Sequence, residues 1–219
     1  MSLIPPVIIP AAVKHTATIF FLHGLGDTGH GWASDLADIK PPHAKLICPT
    51  APEAPVTINM GFEMPSWFDI RSLDKNDGNE DEQGVKNASQ DIVKMIDDEI
   101  KAGIPADRIL LGGFSQGAAL SLYTGLTGPH SLAGLVILSG YLPVRKTISW
   151  DKINKPPVLQ CHGDADTVVH YEVGVGTSKM LQELGKLPNF TFKTYENLQH
   201  SSSPREMRDV QNFIKEKLP

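Results

Sequence analysis

A serine near the middle of the chain lies in a pattern that favours nucleophilic catalysis. Residues 113–117 read Gly-Phe-Ser-Gln-Gly and match G-x-S-x-G, with Ser115 at the centre. An apolar stretch precedes the pattern, and small residues that favour a helix start follow it. A serine on a tight strand-to-helix turn projects its hydroxyl above the sheet, beside the amide donors of the helix N-terminus. We therefore predict that Ser115 is a nucleophile; the alternative is an ordinary strand-to-helix turn.

The general base that a serine hydroxyl needs is expected to be a histidine late in the chain. In hydrolases with such a turn the order along the chain is serine, acid, histidine. Four of the eight histidines precede Ser115, and His170 is expected to open a helix. His200 lies in the loop between the last predicted strand and a well-marked final helix. We therefore predict His200 as the base.

The acid is expected from a turn that follows an apolar strand. Residues 162–166 read His-Gly-Asp-Ala-Asp directly after the apolar run 158–161. The carboxyl ends of strands are where α/β proteins build their sites. Either Asp164 or Asp166 could reach an imidazole from this turn. The aspartate that does not would accept hydrogen bonds from turn amides. The residues by themselves leave this choice open.

Two backbone amides are expected to stabilise the oxyanion of the reaction. One belongs to Gln116, directly after the nucleophile, and the other to Leu25, in a glycine-rich loop after an early predicted strand. The glycines of this loop also fit the dinucleotide pattern G-x-G-x-x-G. No acidic residue ends the next predicted strand, so we exclude a nucleotide cofactor.

No metal site is predicted either. The acidic stretch at 74–78 resembles a calcium loop, but aligning Gly78 with the invariant glycine of that loop puts Leu73 and Lys75 at ligand positions. The turn 162–166 lacks the two-histidine spacing of a zinc site.

Composition limits the class of protein. With 219 residues, 41% of them hydrophobic, the chain fits one domain spanning 1–219. The net charge is −5 without a basic cluster, which excludes a nucleic-acid partner. The stretch 74–82 carries five acidic residues and one lysine, so the remainder is almost neutral.

The cysteines and the hydropathy pattern indicate a cytoplasmic protein. Cys48 and Cys161 are the only cysteines, and each lies in an apolar run, so we predict buried free thiols in a reducing compartment. No run approaches the roughly 18 apolar residues of a membrane helix. The apolar N-terminal segment is interrupted by three prolines and is not typical of a signal peptide.

Apolar runs alternate with helical patterns along the chain, which indicates an α/β fold with a mostly parallel central sheet flanked by helices. Strands are predicted at 18–22, 45–48, 108–112, 134–138, 158–161 and 190–195. Helices are predicted from Val85 to Ile100, from Val173 to Leu184, and after an N-cap at Ser203. Glu206 would complete a capping box with that serine.

Five motifs together resemble the cytosolic acyl-protein thioesterase/lysophospholipase family. They are Leu-His-Gly-Leu-Gly-Asp-Thr-Gly at 22–29, Pro-Ser-Trp-Phe-Asp at 65–69, Gly-Gly-Phe-Ser-Gln-Gly at 112–117, His-Gly-Asp-Ala-Asp at 162–166 and His-Ser-Ser at 200–202. The resemblance spans nearly the whole chain. It implies a single-domain α/β-hydrolase without a large lid, and a catalytic triad of Ser115, Asp166 and His200.

The resemblance also implies an apolar channel for an acyl chain, built largely from the stretch 52–67. The channel candidates are Leu25, Val56, Ile58, Met60, Phe62, Met64, Trp67 and Tyr141. Without the family, the alternating apolar residues of this stretch would equally fit an ordinary edge strand.

The chain departs from the family at two places. Many animal members carry a cysteine near the N-terminus that is itself acylated and brings the enzyme to membranes. Here residue 2 is Ser and no cysteine lies nearby, so whether this chain is recruited to membranes stays open. Residues 140–141 are Gly-Tyr where relatives tend to carry Cys-Trp, and this change is expected to alter the groove wall and the acyl-chain preference.

The expected function is a serine hydrolase that cleaves long-chain thioesters of S-acylated (palmitoylated) proteins and the acyl esters of lysophospholipids. The alternatives are a carboxylesterase for short soluble esters and, from another class, an inactive hydrolase fold that serves as a ligand receptor. We expect at most transient contact with a membrane surface, and a monomer or weak homodimer.

Overall fold

The computed structural model describes residues 4–72 and 79–219, so residues 74–78 of the acidic stretch lie outside the described residues. The strands are β1 (Ile4–Ile9), β2 (Ala17–Leu22), β3 (Ala44–Thr50), β4 (Glu53–Val56), β5 (Phe62–Pro65), β6 (Ile109–Phe114), β7 (Gly134–Leu138), β8 (Val158–Gly163) and β9 (Phe190–Tyr195). The helices are α1 (His30–Ile39), α2 (Glu82–Lys101), α3 (Gln116–Thr127), α4 (Tyr171–Glu183) and α5 (Pro204–Lys217).

Seven of the strands form one sheet in the order β1-β3-β2-β6-β7-β8-β9. Only β1 pairs antiparallel to its neighbour; the other pairs are parallel. The carboxyl ends of β2, β6, β8 and β9 therefore meet at one edge of the sheet, and loops that follow them share that edge. The strands β4 and β5 form a separate antiparallel hairpin.

Helices cover both faces of the sheet, which explains why the central strands are apolar on both sides. The helices α2, α3 and α4 pack on one face, and α1 and α5 on the other. Residues 116–126 of α3 are all buried, because this helix lies between the sheet and α2. None of the helices in the described part of the chain has the length and hydropathy that crossing a membrane requires.

The predicted α/β class is confirmed, and the six predicted strands correspond to β2, β3 and β6 to β9. The sequence patterns did not predict β1, the hairpin or α1. Pro5 and Pro6 lie within β1, which is tolerated because β1 is an edge strand with an irregular register between Ile4 and Val7.

Burial of both cysteines is confirmed, and it raises the pKa of the Cys48 thiol to about 12.

The final helix begins as predicted, but its capping box is incomplete. The Ser203 hydroxyl accepts a hydrogen bond from the Glu206 amide at 3.2 Å. The Glu206 carboxyl does not reach back to the helix start; it is fully buried, and neither oxygen has a hydrogen-bond partner among the described residues. Burial, with a smaller contribution from the nearby Asp209 carboxylate, raises the pKa of Glu206 to about 8.

This buried carboxyl should make the fold less stable as the pH rises. The folded chain keeps the Glu206 proton up to about pH 8, whereas the unfolded chain releases it near pH 4.5. Stability is therefore lost progressively across that window. The free energy of unfolding should fall between pH 5 and pH 8 by about 1–3 kcal/mol more in the parent than in Glu206→Gln, measured by urea titration. Glu216→Gln, on the exposed face of the same helix, should behave like the parent; equal pH dependence in all three proteins would contradict the prediction.

Candidate active site

The predicted turn at Ser115 is present between β6 and α3, and its backbone is strained. Ser115 has φ 54° and ψ −116°, an unfavourable conformation for a residue with a side chain. Its amide donates to the Leu138 carbonyl at 2.9 Å. The turn is tight because β6 and α3 approach closely: a Cβ at Gly113 would lie 2.5 Å from the Gly117 carbonyl carbon. A Cβ at Gly117 would collide with the Leu22 carbonyl oxygen.

The structure joins the serine, the histidine and one of the two aspartates by hydrogen bonds. His200 Nδ1 lies 2.7 Å from Asp166 Oδ2, and His200 Nε2 lies 2.9 Å from Ser115 Oγ. A carboxylate only accepts, so Nδ1–H donates to Asp166. In the neutral ring Nε2 then carries no hydrogen, and it accepts a hydrogen bond from the Ser115 hydroxyl. This arrangement allows the imidazole to act as a general base toward the serine.

The choice between the two aspartates that the sequence left open is a matter of loop geometry. Asp166 is buried, and its Oδ1 accepts hydrogen bonds from the amides of Val168 and Val169 at 2.9 and 3.0 Å. These bonds leave Oδ2 directed at the histidine. The Asp164 side chain is exposed and instead accepts a hydrogen bond from the Asn197 amide at 2.7 Å.

A second histidine, His162, lies behind Asp166 and was not predicted as part of the site. Its Nε2–H donates to the Val169 carbonyl at 2.8 Å and also lies 3.5 Å from Asp166 Oδ2. Burial lowers the pKa of His162, so the ring is neutral and supports the acid without adding a charge. The signal available in the sequence was its position at the end of β8, directly before the acidic turn.

Two aromatic rings pack in series against the His200 imidazole. The His200 and Phe114 rings are tilted by 43° with 4.7 Å between centroids, and the Phe114 and Trp32 ring centroids lie 5.1 Å apart. The imidazole is thus held by these ring contacts and by its two hydrogen bonds.

The two residues predicted to supply the oxyanion amides, Leu25 and Gln116, line the same apolar cavity as Ser115. Among the described residues, neither the Leu25 nor the Gln116 amide donates a hydrogen bond. The loop of Leu25 is held by the buried His23, whose Nδ1–H donates to the Gly24 carbonyl at 2.6 Å and whose Nε2 accepts from the Ala51 amide at 2.9 Å. Burial lowers the pKa of His23 and favours this neutral form.

The side chain of Gln116 ties the turn to the segment after β5. Its Oε1 accepts from the Trp67 amide at 3.0 Å, and its Nε2 donates to Ser66 Oγ at 3.1 Å and to the Phe68 carbonyl at 2.7 Å. The Trp67 indole in turn donates to the His23 carbonyl at 2.9 Å. The two loops that carry the oxyanion amides are therefore cross-linked through buried polar groups.

An apolar cavity of about 330 Å³ opens beside Ser115, within the range of about 300–1,000 Å³ that ligand pockets occupy. Its walls include three of the predicted channel residues: Leu25, Ile58 and Tyr141. The sequence did not indicate the other side chains that line it, which are Asn59, Ile70, Val168, Val169, His170 and Val173. The apolar Val168-Val169 pair directly after the acidic turn was the signal available.

The remaining channel candidates do not line this cavity. Val56 and Trp67 are buried in the core, whereas Met60 and Phe62 are 87% and 65% exposed on the β4–β5 hairpin. Met64 packs beside the oxyanion loop, near Gly26. The stretch 52–67 is therefore a hairpin that reaches the cavity only through Ile58 and Asn59, at its tip; it is not an edge strand of the main sheet either.

The departure at residues 140–141 has a packing explanation. A Cβ at Gly140 would lie 2.6 Å from the Ala118 Cβ, so a cysteine does not fit beside this alanine. Tyr141 is buried, and its side chain contributes to the cavity wall.

Among the described residues no group of three side chains suited to a metal ion occurs.

The close approach at the turn predicts a sharp difference between two glycines. Gly117→Ala should lower the free energy of unfolding by at least about 2 kcal/mol, because the new methyl group meets main-chain atoms that cannot move aside. Gly176→Ala, in α4 with open space around it, should raise that free energy by about 0.5–1 kcal/mol. Denaturant titration measures both values, and a stable Gly117→Ala protein would contradict the packing described.

Comparison with known proteins gives a consistent result. Residues 5–218 match a family model described as Phospholipase/Carboxylesterase. The chain is 42% identical to acyl-protein thioesterase 1 of Neurospora crassa, over 98% of this chain and 92% of that protein. It is 43% identical to acyl-protein thioesterase 1 of Mycosarcoma maydis, over 100% and 99% of the two chains.

Solved structures agree with the fold. The crystal structure of Arabidopsis thaliana SOBER1 is similar with a TM-score of 0.86 and 33% identity, covering 93% of this chain and 100% of that one. The crystal structure of Zea mays acyl-protein thioesterase 2 is similar with a TM-score of 0.85 and 33% identity, covering 98% and 99%.

Proposed function

The chain belongs to the phospholipase/carboxylesterase family, and from that premise we propose that it is a serine hydrolase that removes long acyl groups from S-acylated cysteines of proteins. The observation that carries the proposal is the hydrogen-bonded series Ser115–His200–Asp166 beside an apolar cavity. The fungal and maize relatives named acyl-protein thioesterases support the substrate class.

In the first half of the reaction, Ser115 Oγ attacks the thioester carbonyl carbon while His200 Nε2 takes the hydroxyl proton. Asp166 holds the imidazole in the tautomer that can accept it. The carbonyl oxygen becomes an oxyanion, which the Leu25 and Gln116 amides stabilise; one such donor contributes about 10²–10³-fold in rate. The carbon–sulfur bond then breaks, His200 returns the proton to the cysteine sulfur, and the acyl group remains on Ser115.

In the second half, water replaces the thiol. His200 takes a proton from the water as its oxygen attacks the acyl-enzyme carbonyl, and it returns that proton to Ser115 as the ester bond breaks. The products are the free serine and a fatty acid. The same steps serve an oxygen ester, so we expect measurable cleavage of lysophospholipids too. The two unpaired, buried cysteines fit a reducing compartment, and a cytoplasmic location is part of the proposal.

Replacement of the nucleophile tests the proposed role directly. Ser115→Ala should lower kcat/KM for an S-acyl peptide by about 10⁴-fold or more and should abolish labelling by a fluorophosphonate. Ser34→Ala, an exposed serine of α1, should keep both activity and labelling. Near-parental activity of Ser115→Ala would refute the proposal.

A chain-length series separates a long-chain thioesterase from an esterase for short soluble substrates. Val173→Phe narrows the apolar cavity, so kcat/KM for a hexadecanoyl thioester should fall about tenfold or more while that for an acetyl ester changes little. Leu184→Phe, at the exposed position directly after α4, should leave the profile unchanged. If the parent cleaves acetyl esters but not long-chain substrates, the short-ester alternative replaces the proposal.

A further inference from the structure

A second cavity adjoins Ser115 and differs from the apolar one in both shape and chemistry. It has a volume of about 490 Å³ and shares Leu25, Ser115 and Val168 with the apolar cavity. Its remaining walls are largely polar or aromatic and include Asp27, Trp32, Asp35, Phe114, Ser201 and Ser202. We call it the acidic cleft.

The position of His200 assigns the acidic cleft to the leaving group. His200 lines this cleft and not the apolar cavity. In the proposed reaction, the histidine returns the proton to the leaving atom, so that atom must lie on the histidine's side of the serine. With the acyl chain in the apolar cavity, the rest of the substrate extends into the acidic cleft.

The charges that line the cleft are of one sign. Asp27 and Asp35 contribute carboxylates, and no lysine or arginine is among the lining residues. Neither aspartate forms an ion pair within residues 4–72 and 79–219. Asp35 is exposed on α1, and Asp27 is half-buried at the end of the oxyanion loop, where its Oδ1 accepts from the Thr28 amide at 2.7 Å. Both carboxylates are available to a cation of the substrate.

We propose that the acidic cleft binds the peptide on either side of the acylated cysteine and favours lysine or arginine there. The inference rests on the proposed function and narrows its substrate class. Complementary charges near a reacting bond raise both the rate of encounter and the affinity. A lysophospholipid with an anionic headgroup fits less well, because its phosphate follows the ester by only a few bonds and would face the two carboxylates.

The test uses peptides that carry the same S-octanoyl cysteine flanked by lysines, alanines or glutamates, with release of the thiol as the readout. For the parent protein at low ionic strength, kcat/KM should rise from the glutamate to the alanine to the lysine peptide, by about twofold to fivefold at each step. The order should become flatter at about 0.5 M salt, since exposed charges are screened.

Charge reversal at one position shows whether the preference arises in the cleft. Asp35→Lys should reverse the order of the lysine and glutamate peptides. Asp107→Lys makes the same change of net charge at the opposite edge of the sheet, before β6, and should keep the parental order. Lysophosphatidylglycerol, whose headgroup carries a negative charge and no cation, should be cleaved less well than the alanine peptide by the parent, and Asp35→Lys should narrow that gap.

The outcomes separate this inference from the proposed function. Equal cleavage of the three peptides by the parent, or the same shift in Asp35→Lys and Asp107→Lys, would overturn the inference while leaving an active thioesterase. Better cleavage of lysophosphatidylglycerol than of every peptide would also overturn it, in favour of a lipid leaving group. Failure to cleave any S-acyl peptide, with no label on Ser115, would instead overturn the proposed function.

Discussion

The close packing of α3 against the ends of β2 and β6 is the constraint on which the rest of the site depends. Gly113 and Gly117 allow main chain to lie where a side chain would collide, and Ser115 between them adopts a strained conformation as a result. That conformation directs the hydroxyl toward His200, and the Gln116 amide has no acceptor within the described part of the chain. The strain is offset elsewhere, by the buried hydrogen bonds of the Gln116 side chain and by the apolar packing around α3.

The loop after β8 links the proposed acid to the wall of the apolar cavity. Asp166 accepts hydrogen bonds from the amides of Val168 and Val169, and the side chains of these two valines line the cavity. His162, at the end of β8, donates to the carbonyl of Val169, so the loop is held by this bond as well as by those to Asp166. The same loop contacts therefore position the proposed acid and the cavity wall. A change that loosens the loop would alter the imidazole orientation and the acyl cavity together, because both depend on the path of this loop.

The two cavities that meet at Ser115 divide a substrate by chemistry. The apolar one suits a hydrocarbon chain, whose burial is favourable without directional contacts. The acidic one is lined by the His200 imidazole, two aromatic side chains and two aspartate carboxylates. The net charge of −5 suggested little about partners, because most of it belongs to the stretch 74–82. The two aspartates matter to a substrate through their position, because they line the cleft that adjoins Ser115.

The sequence by itself determined the α/β class and the six main strands, and it predicted Ser115 and His200 as reacting residues, because buried parallel strands and strand-to-helix turns depend on local patterns. Tertiary structure decided what depends on the loops. The residues left Asp164 and Asp166 equivalent, and only the path of the chain after β8 directs one to His200 and the other to the Asn197 amide. The same holds for the cavity: Met60 and Phe62 alternate as channel residues would, yet the hairpin turns them to solvent. The local alternation of residues determines which side chains lie on the same face of a strand. The packing of segments distant in sequence determines whether that face contacts solvent, a cavity or the core.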